Sequence, residues 1–69
     1  MKINHKIYLL TKQIDFYQNK STDWFIRSYK FQRDSYEWQI CRLKSKIYYQ
    51  KVEEYIAELN DTVERNFYV

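Results

Sequence analysis

Apolar residues recur at alternating steps of four and three residues along the first part of this chain. The series is Ile3, Ile7, Leu10, Ile14 and Tyr17. This spacing is typical of one apolar face of an α-helix over about four turns. The residues that follow, 18–23, are all polar and end in Ser, Thr and Asp, which commonly cap a helix N-terminus. The pattern predicts a helix over about residues 3–18, a turn at about 19–22 and a long helix over about 23–66.

The long second segment carries two apolar bands on a helical wheel. One band is predicted to pack against the first helix and consists of Phe25, Tyr29, Tyr36, Ile40, Leu43 and Ile47. The other lies on nearly the opposite side and repeats every seven residues. Its positions are Trp24, Phe31, Trp38, Ser45, Val52 and Leu59. A strict seven-residue period favours a left-handed coiled contact between helices, and the short first helix cannot cover this second band.

These bands predict one all-α domain over residues 1–69. We expect a helical hairpin with a short first helix and a long second helix that self-associates into a bundle. A chain of 69 residues leaves little margin for an isolated core, so association is a common support. The alternative is a monomeric three-helix bundle in which the chain breaks near Ser45 and folds back over the second band.

Composition removes several classes of function. With no Gly, the chain lacks the glycine loops that cradle phosphates, and with one Cys and one His it lacks the four ligands of a structural zinc. No apolar run approaches the roughly 20 residues of a membrane span. We expect no secretory signal, because no apolar stretch follows Met1 and Lys2. A pair formed by His5 and Cys41 would have no third group to orient it. We therefore expect a cytoplasmic protein with no catalytic residue, cofactor, metal or small-molecule substrate.

Charge is distributed unevenly along the chain. Residues 1–51 hold eleven Lys/Arg and four Asp/Glu, whereas residues 52–69 hold one and five. Four cations share a band between the two apolar faces and are candidate nucleic-acid contacts. They are Lys30, Arg33, Lys44 and Lys51. The competing interpretation is a solvated face with ion pairs four residues apart. Those pairs would be Asp23–Arg27, Lys30–Asp34, Arg33–Glu37 and Asp61–Arg65.

The leading hypothesis is a non-enzymatic interaction protein that binds another protein, a second copy of itself, or both. Trp and Tyr dominate the energetics of interfaces, so the seven-residue band supplies the predicted contact surface. Its members are Trp24, Phe31, Trp38, Val52 and Leu59. The opposite charges of the two regions favour antiparallel pairing of two copies.

The residue usage also bears on origin and role. Residue types with A/T-rich codons dominate, which is typical of a low-GC bacterium, phage or plasmid. This favours a regulator or inhibitor from such an element that docks on a larger host protein. The alternative function is a dimeric nucleic-acid-binding protein that uses the basic band.

Overall fold

Two long helices packed side by side make up the fold. A computed structural model describes residues 3–67, in which α1 covers Ile3–Ser28 and α2 covers Tyr36–Phe67. Residues 29–35 connect the helices and reverse the chain direction. The result is a rod of 50 × 16 × 13 Å. The predicted all-α helical hairpin, with the shorter helix first, is confirmed.

A continuous heptad pattern holds the two helices together. In each helix the residues that face the other helix alternate at steps of three and four, which is the a/d pattern of a coiled coil. Every one of these residues is buried or half-buried. On α1 they are Ile3, Ile7, Leu10, Ile14, Tyr17, Ser21, Trp24 and Ser28. On α2 they are Trp38, Cys41, Ser45, Tyr48, Val52, Tyr55, Leu59 and Thr62. We call these sixteen residues the seam.

Two serines bring the helix backbones into close contact near the middle of the seam. The Ser21 hydroxyl donates to the Ser45 carbonyl at 2.9 Å, and the Ser45 hydroxyl donates to the Ser21 carbonyl at 2.8 Å. The two hydroxyl oxygens lie 3.1 Å apart. A short side chain that reaches the opposite main chain requires closely packed helices, so this pair sets both the spacing and the register of the hairpin.

Aromatic stacking fills the seam on the side away from the turn. Tyr17 of α1 stacks on Tyr48 and Tyr55 of α2, with ring centroids 6.2 and 5.7 Å apart. These distances are typical of favourable aromatic pairs. Large side chains therefore occupy this part of the seam, whereas serines and Cys41 alternate with Trp24 and Trp38 in the part near the turn.

The predicted turn at residues 19–22 is wrong, because α1 continues through it to Ser28. The polar residues 18–20 project into solvent, and Ser21 continues the seam in place of a larger apolar residue. Ser21, Thr22 and Asp23 therefore do not cap a second helix. The predicted helix over 23–66 is replaced by the last part of α1, the turn and α2.

Local hydrogen bonds place the turn at residues 29–35. The Ser28 hydroxyl bonds back to the Phe25 carbonyl, a pattern that competes with helix continuation. Asp34 then takes φ = 66°, a left-handed conformation that Asp tolerates better than most residues. The Ser35 hydroxyl accepts a hydrogen bond from the Trp38 backbone N–H at 3.2 Å and caps α2.

The alternative break near Ser45 is also wrong, because α2 is continuous from Tyr36 to Phe67. The turn at 29–35 exchanges the roles of the two predicted bands. From Trp38 onward, the band predicted to face a partner molecule packs on α1 of the same chain, while the band predicted to face the first helix is largely exposed to solvent. Tyr29, Leu43 and Ile47 of that band are 69, 59 and 50 % exposed.

Two leucines allow a matched test of the seam. Leu10 is 5 % exposed and Leu43 is 59 % exposed. Leu10→Ala is expected to lower the free energy of unfolding by about 2–3 kcal/mol, because it opens a cavity between the helices. Leu43→Ala is expected to change it by less than about 0.5 kcal/mol. Urea denaturation followed by circular dichroism measures both, and equal losses would contradict the assigned seam.

A second prediction concerns the close contact between the serines. Ser45→Leu is expected to lower the free energy of unfolding by about 1–3 kcal/mol, because the larger side chain forces the helices apart. Ser45→Ala is expected to cost only about 1 kcal/mol, since it removes one hydroxyl and keeps the spacing. The prediction fails if the Leu variant is as stable as the Ala variant in the same denaturation experiment.

Candidate interaction surface

The hairpin has a basic half and an acidic half. The half nearest the turn, residues 20–51, carries eight Lys/Arg and three Asp/Glu. The other half, formed by residues 3–19 and 52–66, carries three Lys/Arg and six Asp/Glu. We call these the turn half and the open half. Because the helices are antiparallel, the two halves lie at opposite ends of the rod.

Most cations of the turn half have no carboxylate partner. Across residues 3–67 only two ion pairs form, Lys51–Glu54 at 3.5 Å and Arg65–Asp61 at 3.1 Å, and both are exposed. Of the four intrahelical pairs predicted from spacing, Asp61–Arg65 is confirmed. The other three do not form. Asp23 and Arg27 lie within α1, where Arg27 rests over the Trp24 ring, and the other two pairs involve residues of the turn. The turn half therefore presents unneutralised positive charge.

Aromatic rings take the place of carboxylates around Arg42. Its guanidinium carbon lies 4.0 Å from the ring centroid of Phe25, 4.9 Å from that of Trp38 and 5.6 Å from that of Tyr29. Its Nε donates to the Ser28 hydroxyl at 3.0 Å. These contacts hold the half-buried side chain in one orientation through cation–π attraction and a charged hydrogen bond.

Trp24 forms a similar arrangement on the other side of the seam. Arg27 and Lys44 lie over its ring, at 4.7 and 4.3 Å from the centroid. The three side chains border a concavity of about 390 Å³ that Lys30 and Glu37 also line. Positive charge and aromatic surface are thus combined on both sides of the hairpin near the turn.

A second concavity lies at the very end of the rod. It measures about 360 Å³ and is lined by Ser28, Tyr29, Phe31, Arg33, Trp38 and Arg42. Three of these residues are aromatic, two are arginines and none is acidic. We call it the turn cavity.

Apolar side chains are exposed on both sides of the hairpin. Residues that directly follow Trp24, Tyr48 and Tyr55 border the seam and form the first flank. Residues that directly precede Leu10, Tyr17, Cys41 and Tyr48 lie on the other side, farther round each helix and beyond the polar positions beside the seam, and they form the second flank. The first flank consists of Phe25, Tyr49 and Ile56. The second flank consists of Leu9, Phe16, Ile40 and Ile47. All but the half-buried Ile40 are between 38 and 55 % exposed.

The predicted interface residues are divided between the seam and the turn. Val52 is 2 % exposed and packs between the helices, so its predicted position on an outer face is wrong. Trp24, Trp38 and Leu59 are half-buried members of the same seam. Phe31 alone lies outside the helices, at 41 % exposure in the turn. The predicted seven-residue spacing of Trp38, Val52 and Leu59 is present in α2, but these residues face α1 of the same chain and not a second molecule.

The predicted basic band does not form one continuous patch. Lys30 and Lys44 border the concavity beside Trp24, whereas Arg33 lines the turn cavity. Lys51 lies two turns beyond Lys44 and pairs with Glu54. Sequence reasoning missed Arg42, although its spacing of four residues from Trp38 is a pattern that brings two side chains together on a helix.

His5 and Cys41 lie far apart. The register set by Ser21 and Ser45 places His5 near the open end and buried Cys41 near the turn, about 30 Å away at 1.5 Å per residue. The geometry considered for a Cys–His pair is therefore wrong. Within residues 3–67 no cluster of three or more His, Cys, Asp and Glu could hold a metal ion. Neither helix, as far as it is described, has an apolar stretch long enough to cross a membrane.

The fold and this surface define an all-α helical hairpin with a cationic, aromatic turn half. No protein-family model matches the chain, and no curated protein or solved structure is significantly similar to it. Function is therefore inferred from the surface itself.

Proposed function

We propose that this chain is a small interaction protein that acts by binding proteins, beginning with a second copy of itself. One observation carries the proposal. Among the described residues, three apolar side chains are buried, whereas twelve large apolar side chains are at least 38 % exposed. Exposed apolar side chains that so outnumber the buried ones favour association, because large apolar patches on a protein surface mark interaction sites.

The second flank is the surface best suited to a second copy. Leu9 and Phe16 lie on α1, while Ile40 and Ile47 lie on α2, so a partner on this side contacts both helices at once. That is the requirement for a four-helix core. The first flank supplies only Phe25 from α1 and is less suited to this arrangement.

Charge favours an antiparallel arrangement of the two copies. Placed side by side in opposite directions, the basic turn half of one copy lies along the acidic open half of the other. A parallel arrangement brings like charges together, which is unfavourable.

In the antiparallel assembly the first flank stays accessible to solvent. We assign this flank to a larger protein partner in the cytoplasm. The proposal includes a role for this chain as a phage or plasmid product that regulates or inhibits a host protein.

A double substitution on the second flank tests self-association. The wild-type chain is expected to sediment at about twice its mass of 8.8 kDa. Phe16→Gln with Ile47→Gln is expected to weaken the dimer at least about tenfold, which corresponds to 1.4 kcal/mol. The matched control is Tyr36→Gln with Leu43→Gln, which removes exposed apolar side chains outside both flanks and is expected to leave the dimer intact.

Analytical ultracentrifugation over a concentration series measures these masses. A wild-type chain that stays monomeric throughout the series would contradict the proposal. So would a flank variant and a control variant that dissociate equally.

A second candidate function is nucleic-acid binding by the turn half. One observation favours nucleic-acid binding. Within the described part of the chain, the Lys and Arg side chains of the turn half other than Lys51 form no ion pair with a carboxylate. Phosphate groups bind such unneutralised Lys and Arg, with release of counterions. The contacts that we assign to phosphates are Lys30, Arg33 and Lys44 from the predicted band, together with Arg42.

Salt dependence tests this second function. Binding to nucleic acid is expected to weaken steeply with salt, with a log–log slope of about −0.9 per phosphate contact on duplex DNA. Lys30→Gln with Arg33→Gln is expected to reduce the magnitude of that slope by about two. Lys6→Gln with Lys12→Gln, in the open half, removes the same charge and is expected to leave the slope unchanged. Fluorescence anisotropy measures the slope, and no binding at ~50 mM salt would remove this candidate.

A further inference from the structure

The turn cavity combines two groups that recognise different parts of one ligand. Tyr29, Phe31 and Trp38 offer ring surfaces, and Arg33 and Arg42 offer guanidinium groups. The lining residues include no carboxylate, so no acidic side chain borders the space that an anionic ligand would occupy. A volume of about 360 Å³ lies within the roughly 300–1000 Å³ of small-ligand clefts.

Arg42 is oriented before any ligand arrives. Its Nε donates a hydrogen bond to Ser28, and its guanidinium carbon lies near three rings, closest to that of Phe25. No buried side-chain nitrogen or oxygen is left without a hydrogen-bond partner in the described residues. The Nη groups of Arg42, which have no protein partner, are therefore accessible to solvent and available to an anion.

Nucleotides match this combination of groups. Bases stack on aromatic rings and on guanidinium planes, and arginine forks bind phosphate oxygens. A base in a duplex has both faces covered by its neighbours, whereas an unpaired base can leave the strand and enter a cavity. Rings and arginines that line one small cavity thus favour a single strand over a duplex.

We propose that the turn cavity binds one unstacked nucleotide of a single-stranded nucleic acid. The base stacks on Tyr29 and Phe31, and its phosphate binds Arg33 and the Nη groups of Arg42. This inference rests on the second candidate function and adds a defined site and a substrate class to it. RNA and DNA share the base and phosphate chemistry, so both strands belong in the test.

Short labelled oligoadenylates, as RNA and as DNA, are the probes. The controls are an abasic strand with the same number of phosphates and a duplex of the same length. At ~50 mM salt, wild-type protein is expected to bind the adenylate strands at least about fivefold more tightly than the abasic strand, which corresponds to about 1 kcal/mol for stacking. In a Trp24→Phe background, binding is expected to quench the fluorescence of Trp38.

Two variants with matched changes locate the effect. Tyr29→Leu with Phe31→Leu changes only residues of the turn and is expected to bring the ratio of adenylate to abasic affinity to about one. Tyr36→Leu removes a tyrosine that is 74 % exposed, compared with 69 % for Tyr29, but lies outside the cavity. It is expected to keep the wild-type ratio. Circular dichroism confirms that each variant remains helical.

The outcomes separate the site from the function. A ratio near one in the wild type, or a ratio that survives Tyr29→Leu with Phe31→Leu, overturns the cavity proposal and leaves phosphate-based binding intact. Duplex binding as tight as single-strand binding also overturns it, and so does equal competition by polyglutamate of the same charge. If no nucleic acid binds at all, both the site and the second candidate function are removed.

Discussion

The reciprocal contact between Ser21 and Ser45 is the constraint on which the rest of the hairpin depends. Each hydroxyl bonds to the main-chain carbonyl of the other helix, so the helices must lie close together and in one register. On the turn side of this contact the small residues Ser28 and Cys41 alternate with Trp24 and Trp38. Closely spaced helices leave little room between them for large rings, and both tryptophans stay half-buried.

This packing explains the character of the turn half. Rings displaced to the edge of the seam remain partly open to solvent, where they attract neighbouring cations. Arg42 is held among rings on one side, and Lys44 lies over Trp24 on the other. Cations that rest on aromatic rings keep their full charge, so the surface that results is both apolar and positive. The acidic residues of the open half lie too far away to neutralise it.

Much of the fold could be predicted from apolar spacing, because burial imposes a period on a helix wherever large apolar residues form the contact. The stripe from Ile3 to Tyr17 and the heptad phase of Trp38, Val52 and Leu59 are both present in the seam. The error at residues 19–22 arose because Ser21 is polar and does not continue an apolar stripe. Serine nevertheless fits a close helix contact, since its hydroxyl can bond to the facing main chain.

The sequence by itself determined the helical class, the heptad period and the uneven charge, because these follow from residue type and spacing along the chain. Only the tertiary structure decided where the chain turns, and with that which band faces inward. The physical reason is that Ser28, Asp34 and Ser35 mark the turn through specific hydrogen bonds and one backbone angle. Ser and Asp favour helix ends, but this chain also places Ser21, Asp23 and Ser45 inside its helices, so residue type alone does not locate the turn. The cluster of Arg42 with Phe25, Tyr29 and Trp38 also depends on the position of the turn, because the cluster contains residues from both helices and from the turn.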